Sequence, residues 1–467
     1  MPATFAPDWL AVPADVNELP AQVWPRRTKR SESGDITVGG ATATELVAKH
    51  GTPVLVLDEA EVRDRAAETV AAFQTAAAAH NADVTVYYAG KAFLSTHIAR
   101  WMLEAGLNVD VCSGGELAVA LAAGAPPARL GFHGNNKSDA EIARAVTVGV
   151  GTIIIDSREE VDRVAEAAAA AGTRQRVLVR VNSGVHAETH DFLATAHEDQ
   201  KFGITLADAP AVVAAIRAHA SLEFRGLHCH IGSQIFGASG FRESARRVVA
   251  AHADLLAGGE IPQLNLGGGF GIAYTSIDDP APIADLARDI VDAVADECAT
   301  RGIAIPHLSF EPGRSIVGTA GVTLYRVGTT KEVTVDTPEG EKVRRYISVD
   351  GGMSDNARTA LYGAQYSARL ANRTSGSAPQ LSRVVGMHCE SGDIVVDHEY
   401  LPADATRGDV VAVPATGAYC AALASNYNHV PRPPVVAVRD GESRILVRGE
   451  TIDDLLARDA GADEGEA

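Results

Sequence analysis

Four short segments carry side chains suited to covalent and ionic chemistry. Lys91 stands in YYAGKAF (87–93), at the end of an apolar run. A lysine closing a buried strand needs a covalent or ionic partner, or it extends its ammonium past the rim. The covalent alternative is a Schiff base with a carbonyl compound. His228 and His230, in GLHCHIGSQI (226–235), fall on one face of a strand. They read as a metal pair without an evident third ligand, as rim packing, or as a neutral imidazole against a flat cofactor ring with Ser233 reaching a phosphate. Gly267, Gly268 and Gly269, in NLGGGFGI (265–272), let backbone amides approach an anion, although tight turns need glycine too. EPGRS (311–315) sets Glu311 and Arg314 on either side of Pro312 and Gly313. The two either form a rim salt bridge or work separately, the carboxylate on a cofactor's ring nitrogen and the guanidinium on a phosphate or carboxylate.

Three further clusters lie downstream. DGGMSDNARTALYG (350–363) offers Arg358 and Tyr362, HCESGD (388–393) offers Cys389 beside Glu390, and TGAYC (416–420) offers Tyr419. Each also reads as a turn with a solvated polar residue. A neighbouring anion disfavours a thiolate, which suits Cys389 to giving a proton rather than attacking. Cys112, Cys229, Cys298 and Cys420 read as packing residues.

The elements that position these residues follow from patterning. Eight short β-rich runs recur from 84–89 to 306–311, and helical stretches lie between most of them. Ile142, Val146 and Val150, or Leu286, Ile290, Val291 and Val294, repeat at helical spacing. Ser138 with Glu141, and Ser157 with Glu160, mark helix starts. Eight such units predict a closed (β/α)8 TIM-type barrel over 58–314. Lys91, Ser113, His133, His230, Gly267–Gly269 and Glu311 all follow strands, so they gather on the barrel's C-terminal face. After 315 the runs are short and separated by Gly, Asp and Pro. This predicts a mainly antiparallel β-barrel or sandwich domain, to which 1–57 contributes. The polar segment 183–203 is expected to border the site, and the last nine residues to form a disordered tail.

Composition bounds the function. The chain has 467 residues, 46% hydrophobic and 22% charged, with a net charge of -19. That balance argues against nucleic-acid binding, which needs a basic face. No run approaches the roughly 18 apolar residues of a membrane span, and the first 30 residues do not read as a signal peptide. Five cysteines without metal-finger spacing fit a reducing cytoplasm.

The motifs YAGKA, SGGE, HGNNKS, HIGSQ, GGGFG, EPGR, CESGD and TGAY stand in order between about 50 and 455. Together they resemble the diaminopimelate decarboxylases, within the fold-type III pyridoxal-phosphate decarboxylases. Single motifs are shared with ornithine and arginine decarboxylases, whereas the set is more specific. The resemblance implies pyridoxal 5'-phosphate, held by Lys91 as a Schiff base, with His230 stacked on its ring. It puts Ser233 and Gly267–Gly269 on the phosphate and Glu311 on the pyridine nitrogen, with Pro312, Gly313 and Tyr419 around the cofactor. It gives substrate recognition to Arg314, Arg358, Tyr362, Glu390 and Tyr419, and reprotonation to Cys389. It also implies a homodimer whose subunits complete each other's sites. The activity implied is conversion of meso-2,6-diaminopimelate to L-lysine and CO2. The rivals are decarboxylation of another basic amino acid or carboxylated polyamine, or a non-catalytic cofactor-binding homologue. Met387 replaces a common Lys, and Ala421 and Ala422 replace bulkier or hydroxylated residues, which puts packing at the site edge in question.

Overall fold

The computed structural model describes residues 5–185, 201–338 and 340–462. Most of the polar segment 183–203 and the end of the acidic tail, from 463, lie outside them. The chain forms two units. One holds residues 63–271 and 280–316, and the other holds 1–62, 272–279 and 317–467.

The first unit is built on eight parallel strands: Val84–Ala89, Asn108–Val111, Leu130–Phe132, Thr152–Ile155, Gln175–Asn182, Leu222–Cys229, Gln263–Asn265 and His307–Phe310. Each pairs with the next, and the eighth returns to the first with Leu308 opposite Val84. The expected eight-stranded barrel is therefore closed. Strands enclosed on both faces are apolar along most of their length. Thr152–Ile155 and Leu130–Phe132 are buried at every position. The intervening helices bury the faces read from the sequence, among them Ile142 and Val146, and Leu286, Ile290, Val291 and Val294.

Serine hydroxyls start four of these helices. Ser95, Ser113, Ser138 and Ser157 each accept the backbone N–H of the residue three further on. Such a cap satisfies one of the unpaired amides of a first helical turn. Ser138 and Glu141 form the full reciprocal box. Glu160 does not reciprocate to Ser157; it accepts from Asp156 N (2.8 Å) and from buried Lys137 Nζ (2.6 Å). Lys137 also donates to Gly134 O at 2.8 Å and Ile154 O at 2.7 Å, which fixes the loop after the third strand.

The second unit is mostly sheet. Its main path runs Ile394–Pro402, Pro379–Val385, Gly340–Val349, Gly321–Thr337, Val54–Asp58, Val435–Arg439, Glu442–Val447. Most pairings are antiparallel, as expected. Two are parallel: Gly340–Val349 with Pro379–Val385, and Val54–Asp58 with Val435–Arg439. Parallel neighbours need a long crossover. The crossover between Gly340–Val349 and Pro379–Val385 is the segment that carries Arg358 and Tyr362. Residues 1–57 supply most of Val54–Asp58, inside the sheet, and a separate three-stranded sheet of Lys29–Arg30, Ile36–Val38 and Ala41–Thr42. Among the described residues no helix is long and apolar enough to cross a membrane.

Candidate active site

Lys91 is exposed in a single turn, Gly90–Ala92, directly after the first barrel strand. The EPGR segment shapes that turn. Pro312 O accepts Ala89 N at 3.0 Å. A Cβ on Gly313 would come within 2.9 Å of Ala89 O and 3.1 Å of Ala92 Cβ, so only glycine fits there without displacement. The Lys91 charge acts on Asp110, His230 and Cys112.

The glycine loop after the seventh strand is close-packed against two other loops. Gly267 and Gly269 have φ of +70° and +117°, and an added Cβ on either would meet a carbonyl, Cys229 O or Gly232 O, at 2.5 Å. A Cβ on Gly268 would overlap Glu311 O. Gly267 N–H donates to Asn265 Oδ1 at 2.8 Å, so its part in the loop is conformational. Gly268 N makes a long contact of 3.4 Å with His230 Nδ1. Ser233 Oγ accepts from Arg314 Nη2 at 2.9 Å, which brings a hydroxyl and a guanidinium together beside the loop after the sixth strand.

Glu311 lies in a buried network. Asn265 Nδ2 donates to Glu311 Oε1 at 2.7 Å, and His228 Nε2 lies 3.1 Å from the same carboxylate. His133 Nε2 is 3.3 Å from both Asp110 Oδ1 and Glu311 Oε1. Burial pulls the His133 imidazole down, but Glu311 and Asp110 outweigh it and lift its pKa to about 9. Burial opposes the Glu311 carboxylate, yet the facing imidazoles of His228 and His133 hold it well below the ordinary carboxylate range. Burial, then the Glu311 charge, raise Asp110 to about 7. Burial lowers His228 to about 4, and burial with the Lys91 charge lowers His230 well below its usual value. Both are therefore neutral at pH 7, whereas His133 is a cation. His133, His228 and Glu311 present ligand atoms within 4.8 Å of one another. Pairing His228 with His230 as metal ligands did not anticipate this set. The contacts of His228 and His133 at 3.1 and 3.3 Å lie at hydrogen-bond rather than metal–ligand spacing.

The other expected residues all belong to the sheet unit, which draws their three clusters together. Asp393 accepts from Met353 N at 2.6 Å and His388 N at 2.7 Å, tying 350–363 to 388–393. Ser354 Oγ bonds His388 Nε2 at 2.8 Å, and Ser354 O accepts Ser425 N at 2.8 Å. Arg358 is buried; its Nη1 donates to Tyr366 Oη at 2.6 Å and its guanidinium lies 4.5 Å from the Tyr274 ring centre. Tyr366 Oη in turn lies 3.6 Å from Cys420 Sγ. Cys389 and Glu390 are exposed, and the Cys389 amide donates to Asn428 Oδ1 at 3.2 Å. Tyr362 and Met387 are exposed as well, at 52% and 55%. Tyr419 takes a φ of +61°, and the single turn Ala421–Leu423 follows it closely.

Sequence reasoning gave no role to Asp110, Asn265, Asn428, Tyr274 or Tyr366. A signal existed for the first two, each a polar side chain inside an apolar strand, in LNVDV and PQLNL. Asn428 and Tyr274 meet their partners only through long-range folding, and Tyr366 lies eight positions beyond Arg358, past the turn at Gly363.

Residues 64–318 match the family described as pyridoxal-dependent decarboxylase, pyridoxal binding domain. The chain is 50% identical over 447 residues to diaminopimelate decarboxylase of Mycobacterium tuberculosis, covering 94% of this chain and 98% of the relative. It is 40% identical over 433 residues to the Staphylococcus aureus enzyme of that name, covering 92% and 99%. Among solved structures, diaminopimelate decarboxylase from M. jannaschii in complex with L-lysine superposes with a TM-score of 0.84 at 30% identity, covering 93% and 98%. A barrel with this lysine, glycine loop and buried carboxylate, joined to a sheet unit bearing CESGD, accords with those matches: the chain belongs to the diaminopimelate decarboxylase family of pyridoxal-dependent decarboxylases.

Proposed function

We propose that the chain converts meso-2,6-diaminopimelate to L-lysine and CO2 with pyridoxal phosphate, as the last step of lysine synthesis. The observation that carries this reading is the buried Glu311 carboxylate, held ionised on the barrel whose first strand ends in exposed Lys91. A buried carboxylate of that kind suits a protonated pyridine nitrogen. The glycine loop, whose close approaches a Cβ would fill, suits a phosphate, with Ser233 and Arg314 adding a hydroxyl and a fork. Bound there, the cofactor is an electron sink for the pair left when the Cα–carboxylate bond breaks.

The chain's own groups then have distinct tasks. Lys91 would tether the cofactor covalently, and neutral His230 would offer a flat face to its ring. Glu311 would hold the proton on the ring nitrogen. Pro312 and Gly313 set the Lys91 turn. Cys389 would give a proton to Cα, and Tyr419 would serve both cofactor and substrate. Arg358, already oriented by Tyr366 and Tyr274, has donors left for the distal carboxylate, because guanidinium carries five. With Tyr362 and Glu390 it reads the distal amine and carboxylate that set this substrate apart from shorter diamino acids. The large apolar side chains Leu361, Tyr362 and Met387 are exposed in the same segments. This supports a homodimer in which the sheet unit's Cys389 and Glu390 serve the partner's cofactor. Five free cysteines support a cytoplasmic location.

Purified protein with pyridoxal phosphate should release lysine and CO2 from meso-diaminopimelate in preference to ornithine, arginine or a carboxylated polyamine. Preference for one of these would reassign the substrate, and cofactor binding without CO2 release from any would mark a non-catalytic homologue.

A further inference from the structure

The network around Glu311 draws on five strands. Asp110 lies on the second strand, His133 follows the third, His228 is on the sixth, Asn265 ends the seventh and Glu311 follows the eighth. A carboxylate offers roughly four acceptor sites. Asn265 Nδ2 and His228 Nε2 bond Glu311 at 2.7 and 3.1 Å, and His133 Nε2 stands 3.3 Å away as an ionic neighbour, so the carboxylate keeps acceptor capacity for a further N–H. His133 Nε2 also meets Asp110 at 3.3 Å, so one imidazole bridges two carboxylates that would otherwise face each other as like charges. With His228 neutral, Glu311 ionised and His133 an imidazolium, the net negative charge is whatever Asp110 carries, a carboxyl that burial and Glu311 raise to about 7. A protonated ring nitrogen cancels that charge, which a low-dielectric interior favours.

We propose that His133 is a positioning residue: as an imidazolium clamped by Asp110, it keeps Glu311 ionised and turned toward the cofactor's ring nitrogen. The inference rests on the reading of Glu311 given above. Without His133, Asp110 and Glu311 share one proton as the pH falls, because adjacent buried carboxylates cannot both stay charged. The other titratable groups that interact with this network are Lys91, Arg180, His230, the Cys112 thiol, which burial raises to about 12, and the phenol of Tyr87. Burial and the charges of Lys91 and Arg180 keep His230 neutral, and burial raises Tyr87 to about 12, so neither replaces the lost cation.

The test is cofactor binding by the full chain freed of pyridoxal phosphate, followed by absorbance between pH 6 and 8.5. The chains compared are wild type, His133→Gln, and His133→Gln with Asp110→Asn. Loss of a neighbouring cation raises a carboxyl pKa, so ionised Glu311 is depleted first on the acid side. His133→Gln should therefore lose about tenfold more affinity at pH 6 than at pH 8, as expected when about nine in ten of these carboxylates are protonated at pH 6. Asp110→Asn in that background removes the like charge and should recover most of the acid-side loss. Equal loss at both pH values without recovery would reduce His133 to packing and overturn the proposal. In case the variants fold poorly, ¹⁵N-histidine spectra of the intact untagged chain should show one imidazolium persisting at pH 8; its absence would overturn the proposal too. Failure of wild type to bind pyridoxal phosphate at any pH would sink the cofactor reading itself, which distinguishes the two failures.

Discussion

The barrel and the sheet unit hold their candidate residues in opposite ways. On the barrel, Asp110, His228, Asn265 and Glu311 are shielded from solvent and lie against one another, and only Lys91 and Ser233 stand exposed. In the sheet unit Cys389, Glu390 and Tyr362 are exposed, and what is buried is their support: Asp393, Ser354 and the Arg358–Tyr366 pair. Charge fixed in a water-poor network suits a group that must hold one protonation state through the reaction. Exposed groups on well-supported turns suit a surface completed by something else. The barrel is thus suited to holding a cofactor and the sheet unit, on the function proposed above, to presenting reagents.

The largest expected effect falls on the barrel side of that contrast. Lys91→Ala should abolish turnover, and borohydride should no longer fix pyridoxal phosphate to the peptide around residue 91. Cofactor fixed to another lysine in wild type would break the assignment. Next comes Cys389→Ala. It should slow turnover by on the order of 10²-fold or more, the usual cost of losing a positioned acid. Cofactor affinity and absorbance should stay as in wild type, because the proposed cofactor contacts around Glu311 and the glycine loop are left intact. A parallel loss of cofactor would erase the division of labour between the two units.

A smaller effect sharpens the picture of the phosphate end. Ser233→Ala removes one hydroxyl that accepts from Arg314 and faces the proposed anion site. A hydrogen bond to a charged group contributes about 1.5–3 kcal/mol, so cofactor affinity should fall about 10–100-fold. The rate at saturating cofactor should change little. A fall in that rate with unchanged affinity would move Ser233 from holding the cofactor to handling the substrate.

How legible each unit was follows from the same contrast. All eight barrel strands could be read, because enclosed parallel strands are largely apolar and serine caps mark several of the helices between them. Lys91, His230, Glu311 and the glycine loop were visible because strand ends carry them to one face. The bridge made by His133 was not, since it joins residues from the second, third and eighth strands, and only barrel closure brings those together. In the sheet unit the motifs stood out, but the parallel pairing of Gly340–Val349 with Pro379–Val385 did not. Short alternating runs do not reveal which strands become neighbours. Arg358 was picked as a substrate ligand from its motif. That Tyr274, eighty-four positions earlier, would stack on it left no local trace.

The last prediction tests whether the sheet unit's exposed reagents serve a partner. Lys91→Ala and Cys389→Ala are each expected to be inactive, for reasons that lie in different units. If every site draws Lys91 from one subunit and Cys389 from the other, a mixed dimer contains one site with both defects and one with neither. Equal amounts, exchanged at random, give half mixed dimers, and each regains one of its two sites. Activity should then return to about a quarter of wild type, only a fourfold deficit from two proteins that are inactive alone. Subunits of different mass, followed by native mass spectrometry, would establish that exchange took place. Exposed Cys389, Tyr362 and Met387 favour recovery, since a surface so supported and so open to solvent in one chain is suited to being covered by another. Proven exchange without recovery would place Cys389 at its own chain's cofactor, or outside the reaction. The contrast between the two units would then describe two stages of assembly within one subunit rather than a division of labour between two.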